Sequence, residues 1–215
     1  MLRRMAAAAS VTTFIVGDRL PWPDDAPPRE VLGPLDAGAL YDANSRQDCL
    51  IRKISALGAT VRGAVAKSPG DAVAIELSTG QRPAGTVEWV RGGEAGVAFK
   101  QPVDLLALIN RSLISQPADR RTMPRIEIRC PVHLRWAGQW MPSTLRNISA
   151  RGLQVQGAEL PAADTFLSIA IEGLVVPAGE VVWRKDGLAG IELFEELSWT
   201  SLVPWIREMM RRGVQ

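Results

Sequence analysis

The sequence predicts a mainly β protein built as two small closed antiparallel barrels in tandem, each followed by a C-terminal α-helix. Three observations lead there. Short apolar runs alternate with period two along most of the chain, as half-buried strands do. The pattern recurs at one offset of 94 residues, the mark of a repeated unit. Each repeat ends in apolar residues spaced for one face of a helix.

Taken in order, residues 1–29 read as an N-terminal tail or arm. Leu2-Arg3-Arg4 precedes the Ala-rich stretch Met5 to Val16, which resembles a weak signal peptide. Ser10, Thr12 and Thr13 dilute its apolar character, and no small-x-small cleavage site follows. The expectation is a cytoplasmic protein whose first residues form a tail or a first strand. Residues 21–34, PWPDDAPPREVLGP, hold five prolines and read as an extended linker. The first repeat, residues 30–114, shows Val73, Ile75 and Leu77 in alternation. Its helix is expected to share Val103, Leu106, Ile109 and Leu113 on one face, with Asp104 near the positive N-terminus.

A second break, SQPADRRTMP, is polar, basic and ends in proline, so residues 115–125 read as the joint between repeats. The second repeat, 118–215, opens with Val132, Leu134 and Trp136 in alternation. Ala137-Gly138 supplies a turn and a strand runs on to Ser149. Leu153 and Val155, then Leu167, Ile169 and Ile171, continue the period. Glu180–Trp183 and Leu188–Leu193 give a last pair of strands. Leu202, Trp205, Ile206 and Met209 share a helix face, and Arg211 and Arg212 sit near the C-terminal end of that helix. Packing on its own barrel is the expected use of that face.

The repeat rests on several residues in one register. Ser55 and Gly58 in IRKISALGATV match Ser149 and Gly152 in LRNISARGLQV. Pro83-Ala84-Gly85 matches Pro177-Ala178-Gly179, Trp89 matches Trp183, Gly96 matches Gly190, and Phe99 matches Leu193. No gap is needed from Ala43 to Phe99.

Composition narrows the function. The 215 residues are 47% hydrophobic and 22% charged, with net charge +2. That balance supports a globular protein and gives no general attraction to polyanions. Aromatic residues are 6%, too few for the stacking platforms of a nucleic-acid-binding barrel. Cys49 and Cys130 stand apart, outside any CxxC pair, so no zinc site is expected and both read as reduced, partly buried thiols. The single histidine, His133, lies in an alternating strand and reads as structural. Without a ligand cluster, a nucleophile–base pair or a Gly-rich phosphate loop, neither a metal, a cofactor nor an enzyme is expected. No run of 18 apolar residues suggests a membrane span.

Two patterns stand out in the second repeat. Arg120-Arg121-Thr-Met-Pro-Arg125 contains R-x-x-x-R, in a ten-residue window (120–129) whose one acid is Glu127. Asn147-Ile-Ser149-Ala-Arg-Gly152 is N-x-S-x-x-G. The interval from Arg125 to Asn147 fits a strand, a tight turn and a second strand, which brings the arginines near the end of the strand carrying Asn147. Both patterns in this order, followed by Val181-Val182-Trp183 and by Gly190-Ile-Glu-Leu193, resemble the PilZ domain family over about 95 residues of this sequence. Each motif alone is common; their order and spacing are specific.

The resemblance implies a receptor for cyclic di-GMP, with Arg121, Arg125, Asn147, Ser149 and Gly152 forming the site. Arg120, Arg151 and Trp183 are further candidates, and an arginine at position 120 would accompany a stacked nucleotide dimer. The ligand offers phosphates and guanines. A guanidinium bonds two phosphate oxygens at once, or guanine O6 and N7 together, and stacks on the base. Asn147 can accept from a guanine N–H, Ser149 adds a short hydroxyl, and Gly152 suits a tight turn, with positive φ as one way to achieve it. The first repeat has Lys53 at the Asn147 position, and Pro27 and Val31 at the arginine positions. It is expected to be a degenerate PilZ-like copy, retaining Ser55 and Gly58 as structure. The expected partners are cyclic di-GMP and a downstream protein. The alternatives are a tandem interaction module that binds no nucleotide, and a nucleic-acid-binding small barrel.

Overall fold

The computed structural model describes residues 11–22, 35–63, 67–114 and 124–213. It divides into two units, Met1–Pro124 and Arg125–Gln215.

In the first unit, β1 (Thr13–Ile15) precedes six strands: β2 (Asp36–Tyr41), β3 (Arg46–Ser55), β4 (Gly58–Arg62), β5 (Ala72–Glu76), β6 (Ala84–Arg91) and β7 (Glu94–Phe99). Antiparallel pairing runs β2–β3–β4–β7–β6–β5 and back to β2, closing a barrel without free edges among the six. β1 lies outside this ring and runs parallel to the end of β3. Helix α1 (Leu105–Ile114) follows.

The second unit closes in the same order. β8 (Arg125–Trp136), β9 (Gln139–Ser149), β10 (Gly152–Gln156), β11 (Phe166–Ala170), β12 (Gly179–Lys185) and β13 (Leu188–Leu193) pair as β8–β9–β10–β13–β12–β11 and back to β8. Helix α2 (Trp199–Arg211) follows.

Alternation explains both barrels. In the second unit Ile126, Ile148, Leu153, Ile191 and Val181 are successive register partners, and all are buried. Burying such a side chain contributes about 1.5–3 kcal/mol. Val132 and Leu134 point inward while His133 between them is exposed, as the strand reading of that histidine requires. The expected turn at Ala137-Gly138 has both residues at positive φ, 49° and 80°, the geometry of a two-residue hairpin.

The offset is visible in the backbone. β4 and β10, β5 and β11, and β7 and β13 begin and end 94 residues apart (58 to 152, 72 to 166, 94 to 188). β6 and β12 shift register at Val87/Trp89 and Val181/Trp183, and each tryptophan then pairs with a glycine, Gly96 or Gly190. Gly63 donates to the Gly93 carbonyl and Gly157 to that of Gly187, both at 3.1 Å.

The helices differ in how well periodicity located their faces. α2 buries Leu202, Trp205, Ile206 and Met209, as expected, and the Trp205 Nε1–H donates to the Glu172 carbonyl at 3.0 Å. α1 buries Leu105, Leu108 and Ile109, whereas Val103, Leu106 and Leu113 are only partly covered. The expected face was therefore rotated. Asp104 caps the helix, its carboxylate accepting from the Ala107 N–H at 3.0 Å, so the first turn begins at Leu105 and the i, i+3, i+4 stripe follows from there.

The first unit also contains a buried ion cluster. Glu94 on β7 meets Arg52 on β3 at 2.9 Å and Arg62 on β4 at 3.1 Å. Arg52 and Glu94 are both buried, so their charges are compensated within the cluster and not by water.

Candidate functional site

The N-x-S-x-x-G motif spans the end of β9, a two-residue turn and the first residue of β10. Ile148 faces the core, so Asn147 and Ser149 face outward. Asn147 lies in an outer row of register partners crossing five strands: Glu127, Asn147, Gln154, Gly190 and Trp183. The Asn147 amide donates to Gln154 Oε1 at 2.6 Å, which fixes the side chain and leaves its carbonyl oxygen outside that bond. The neighbouring outer row runs Ser149, Gly152, Glu192, Glu180 and Phe166. The Ser149 hydroxyl donates to the Gly152 carbonyl at 3.3 Å and so braces the turn.

Gly152 corrects one expectation. Its φ is not positive. A Cβ there would lie 2.5 Å from the Ile191 carbonyl oxygen on β13, so close backbone approach, not turn geometry, requires glycine. Gly58 has the same constraint, 2.6 Å from the Val97 carbonyl oxygen. The glycine of the motif is therefore explained by the barrel in both units.

Arg125 is the first residue of β8 and is exposed. The next residue, Ile126, pairs with Ile148, so Arg125 stands one register step further, beside Ser149. The structure thus brings together Arg125, Asn147, Ser149 and Gly152 on one outer face. Arg120 and Arg121 lie outside the described residues. Arg151, in the turn, is exposed and stands 3.8 Å from Glu192 and 3.9 Å from Glu196, pairs too long and open to immobilise it. Trp183 is half-buried with its indole laid on Gly190, at the far end of the Asn147 row.

Around Ser149 the described face carries Arg125 and Arg151 beside the acidic Glu127, Glu192 and Glu196. Gln154 was missed in the sequence, although the Leu153–Val155 alternation already placed it on the outer face. Among the described residues no group of three His, Cys, Asp or Glu side chains could hold a metal. No helix among them is long and apolar enough to cross a membrane.

The second unit is thus a six-stranded antiparallel barrel with a polar, arginine-flanked motif where one strand ends. Residues 119–204 match the PilZ domain family, and this part of the chain is a PilZ domain. Among solved structures the chain is similar to the Borreliella burgdorferi PlzA protein in complex with c-di-GMP, at 13% identity, covering 82% of this chain and 87% of that one, with a TM-score of 0.32. It is similar to YcgR in complex with c-di-GMP from Escherichia coli at 14% identity, covering 83% of each chain, with a TM-score of 0.29. It is also similar to the Bacillus subtilis inhibitor of motility (MotI/DgrA) at 15% identity, covering 82% and 95%, with a TM-score of 0.28. No curated protein matches the chain.

Proposed function

We propose that this protein is a non-enzymatic, cytoplasmic receptor for cyclic di-GMP, with one site per chain, in the second barrel. The observation that carries the reading is the outward placement of Asn147 and Ser149 beside Arg125, within the residues that match the PilZ domain. Arg121 and Arg125 grip phosphate and guanine edges bidentately. Asn147, held by Gln154, offers its carbonyl oxygen to a guanine N–H. Ser149 contributes a hydroxyl, and Gly152 keeps the turn low enough for the ligand to approach. Arg120, Arg151 and Trp183 flank the site.

The domain organisation that goes with this reading is a duplication: an arm at 1–29, a degenerate copy at 30–114, a joint at 115–125 and the binding domain at 118–215. The arginine motif falls at that joint. Ligand binding there orders the joint and shifts the placement of the units, which a downstream protein reads, provided the ligand favours one arrangement energetically.

Calorimetry with cyclic di-GMP tests the site. Saturable heat is expected from the wild type, together with a large loss of affinity in Arg125→Ala and little recovery in Arg125→Lys, because lysine lacks the planar fork. A wild type that gives no heat removes the function; an Arg125→Ala variant that binds equally removes the site. Scattering profiles identical with and without saturating ligand would remove the rearrangement.

A second reading, an interaction module without nucleotide, is favoured by one feature. Phe166 and Phe194 pack edge to face, centroids 5.5 Å apart, while remaining 66% and 58% exposed. An exposed aromatic pair suits a protein partner. Its test is loss of partner capture in Phe166→Ser/Phe194→Ser, from a wild type that gives no heat with cyclic di-GMP.

A further inference from the structure

The face of the first unit that corresponds to the motif face of the second is already occupied by the chain itself. β2 begins at Asp36 and pairs with β3 only as far as Ile51. Lys53, Ile54 and Ser55 therefore receive no partner from β2. Their counterparts are better served, because β8 reaches back to pair Ile126 and Glu127 with Ile148 and Asn147. An unpaired strand edge over a closed core leaves backbone N–H and C=O groups to be satisfied.

β1 fills that edge, from the opposite direction. Thr13, Phe14 and Ile15 run parallel to Lys53, Ile54 and Ser55, so β1 is an added segment and not a continuation of β2. Thr12 seals the point where β2 stops: its hydroxyl donates to the Ile51 carbonyl and accepts from the Asp36 N–H, both at 2.7 Å. Phe14, Ile15 and Val16 are buried. Beyond β1 the segment crosses to the glycine of the S-x-x-G turn. A Cβ at Gly58 would lie 3.0 Å from Leu20 and 3.3 Å from Trp22, so the missing side chain makes room for both. Trp22 meets Trp89 edge to face, with centroids 6.2 Å apart and rings at 81°.

We infer that this face, formed by Lys53–Ser55, Gly58 and Trp89, is a peptide-docking site whose resident ligand is residues 11–22. Recognition is by strand addition: main-chain bonds along β3 supply affinity, and the seat on Gly58 and Trp89 selects a tryptophan six residues beyond the apolar triplet Phe14–Val16. The pairing is short, and parallel pairing is the weaker kind. Covalent attachment through the proline-rich stretch 23–34 gives the segment a high effective concentration, so a free peptide does not displace it while the chain is whole. Once released, the face accepts an extended peptide of the same chemistry in trans. The inference rests on contacts within the first unit.

The test cuts the tether after folding. A protease recognition sequence is inserted between Asp25 and Ala26 of the full chain, the folded protein is cleaved, and a fluorescein-labelled synthetic peptide of residues 11–22 is added. Saturable anisotropy is expected with cleaved protein and none with uncut protein. An unlabelled peptide should compete, and its Trp22→Ala version should compete about tenfold less well, the loss typical of a buried aromatic anchor. If cleaved protein keeps its circular dichroism spectrum but takes up no peptide, or if both peptides compete equally, the site does not exist. Should cleavage unfold the first unit, the uncut Trp22→Ala chain is the second arm. Wild-type peptide is expected to enter it measurably, and failure to enter would overturn the proposal.

Discussion

Asn147 and Gln154 are register partners on adjacent strands, and the Asn147 amide is bonded to Gln154 Oε1 at 2.6 Å. The bond orients one candidate ligand group through a residue outside the motif. Gln154→Leu is therefore expected to weaken cyclic di-GMP binding by about three- to tenfold, the worth of roughly one hydrogen bond, while leaving the melting temperature near that of the wild type. Asn147→Ala should lose at least as much. Ile148→Ala, one residue along but facing the core, should instead lose about 2–5 kcal/mol of stability through its cavity. Calorimetry and chemical denaturation on the three variants check the contrast.

Gly152→Ala is expected to destabilise the second barrel by about 1–3 kcal/mol, since the new methyl meets a backbone carbonyl that has little room to move. Gly58→Ala should do the same to the first barrel and also loosen Leu20 and Trp22. Denaturant midpoints measure the first effect and proteolysis near residue 22 the second.

The thiols give a pH dependence. Burial pushes Cys130 up to about 11, and burial with the nearby Asp48 carboxylate pushes Cys49 up to about 11. In the unfolded chain both ionise near their ordinary value of about 8.5. Above that pH the unfolded state holds fewer protons than the folded state, so stability falls as pH rises from about 9 towards 11. Denaturation midpoints between pH 8 and 10.5 should decline in the wild type and decline less in Cys49→Ala/Cys130→Ala. Thiol reagents at pH 8 should modify neither cysteine until the protein is unfolded.

Glu94→Ala should cost about 3–5 kcal/mol, because it leaves the buried Arg52 guanidinium without its carboxylate. Replacing Arg52 and Glu94 together by apolar residues of similar size should cost less than the single change. A double-mutant cycle by denaturant unfolding measures the difference.

Period-two alternation located the core positions of β5, β10 and β11 because each of those strands has one face in the barrel and one in solvent. Leu202, Trp205, Ile206 and Met209 were legible for the same reason at helical period. The face of α1 was not, since Val103 and Leu106 fit a helical stripe as well as Leu105 and Leu108 do, and only the cap at Asp104 sets the phase. Glycine at 152 was legible as a residue but not as a cause: sequence shows that a side chain is absent, not that Ile191 lies against the gap. A first strand before the proline-rich stretch was one of two expectations, and β1 meets it, but its place beside β3 was not legible, because parallel pairing over three residues leaves no periodic trace and its partner is far along the chain.

That distance has a consequence for assembly. Thr13 is paired with Lys53, 40 residues ahead, so β1 leaves the ribosome well before the strand that receives it. Until β3 is made, Phe14 and Ile15 have no core to enter, and closing so long a loop carries an entropic cost that local hairpins avoid. During synthesis the apolar residues of β1 must wait, exposed, for the strand that receives them.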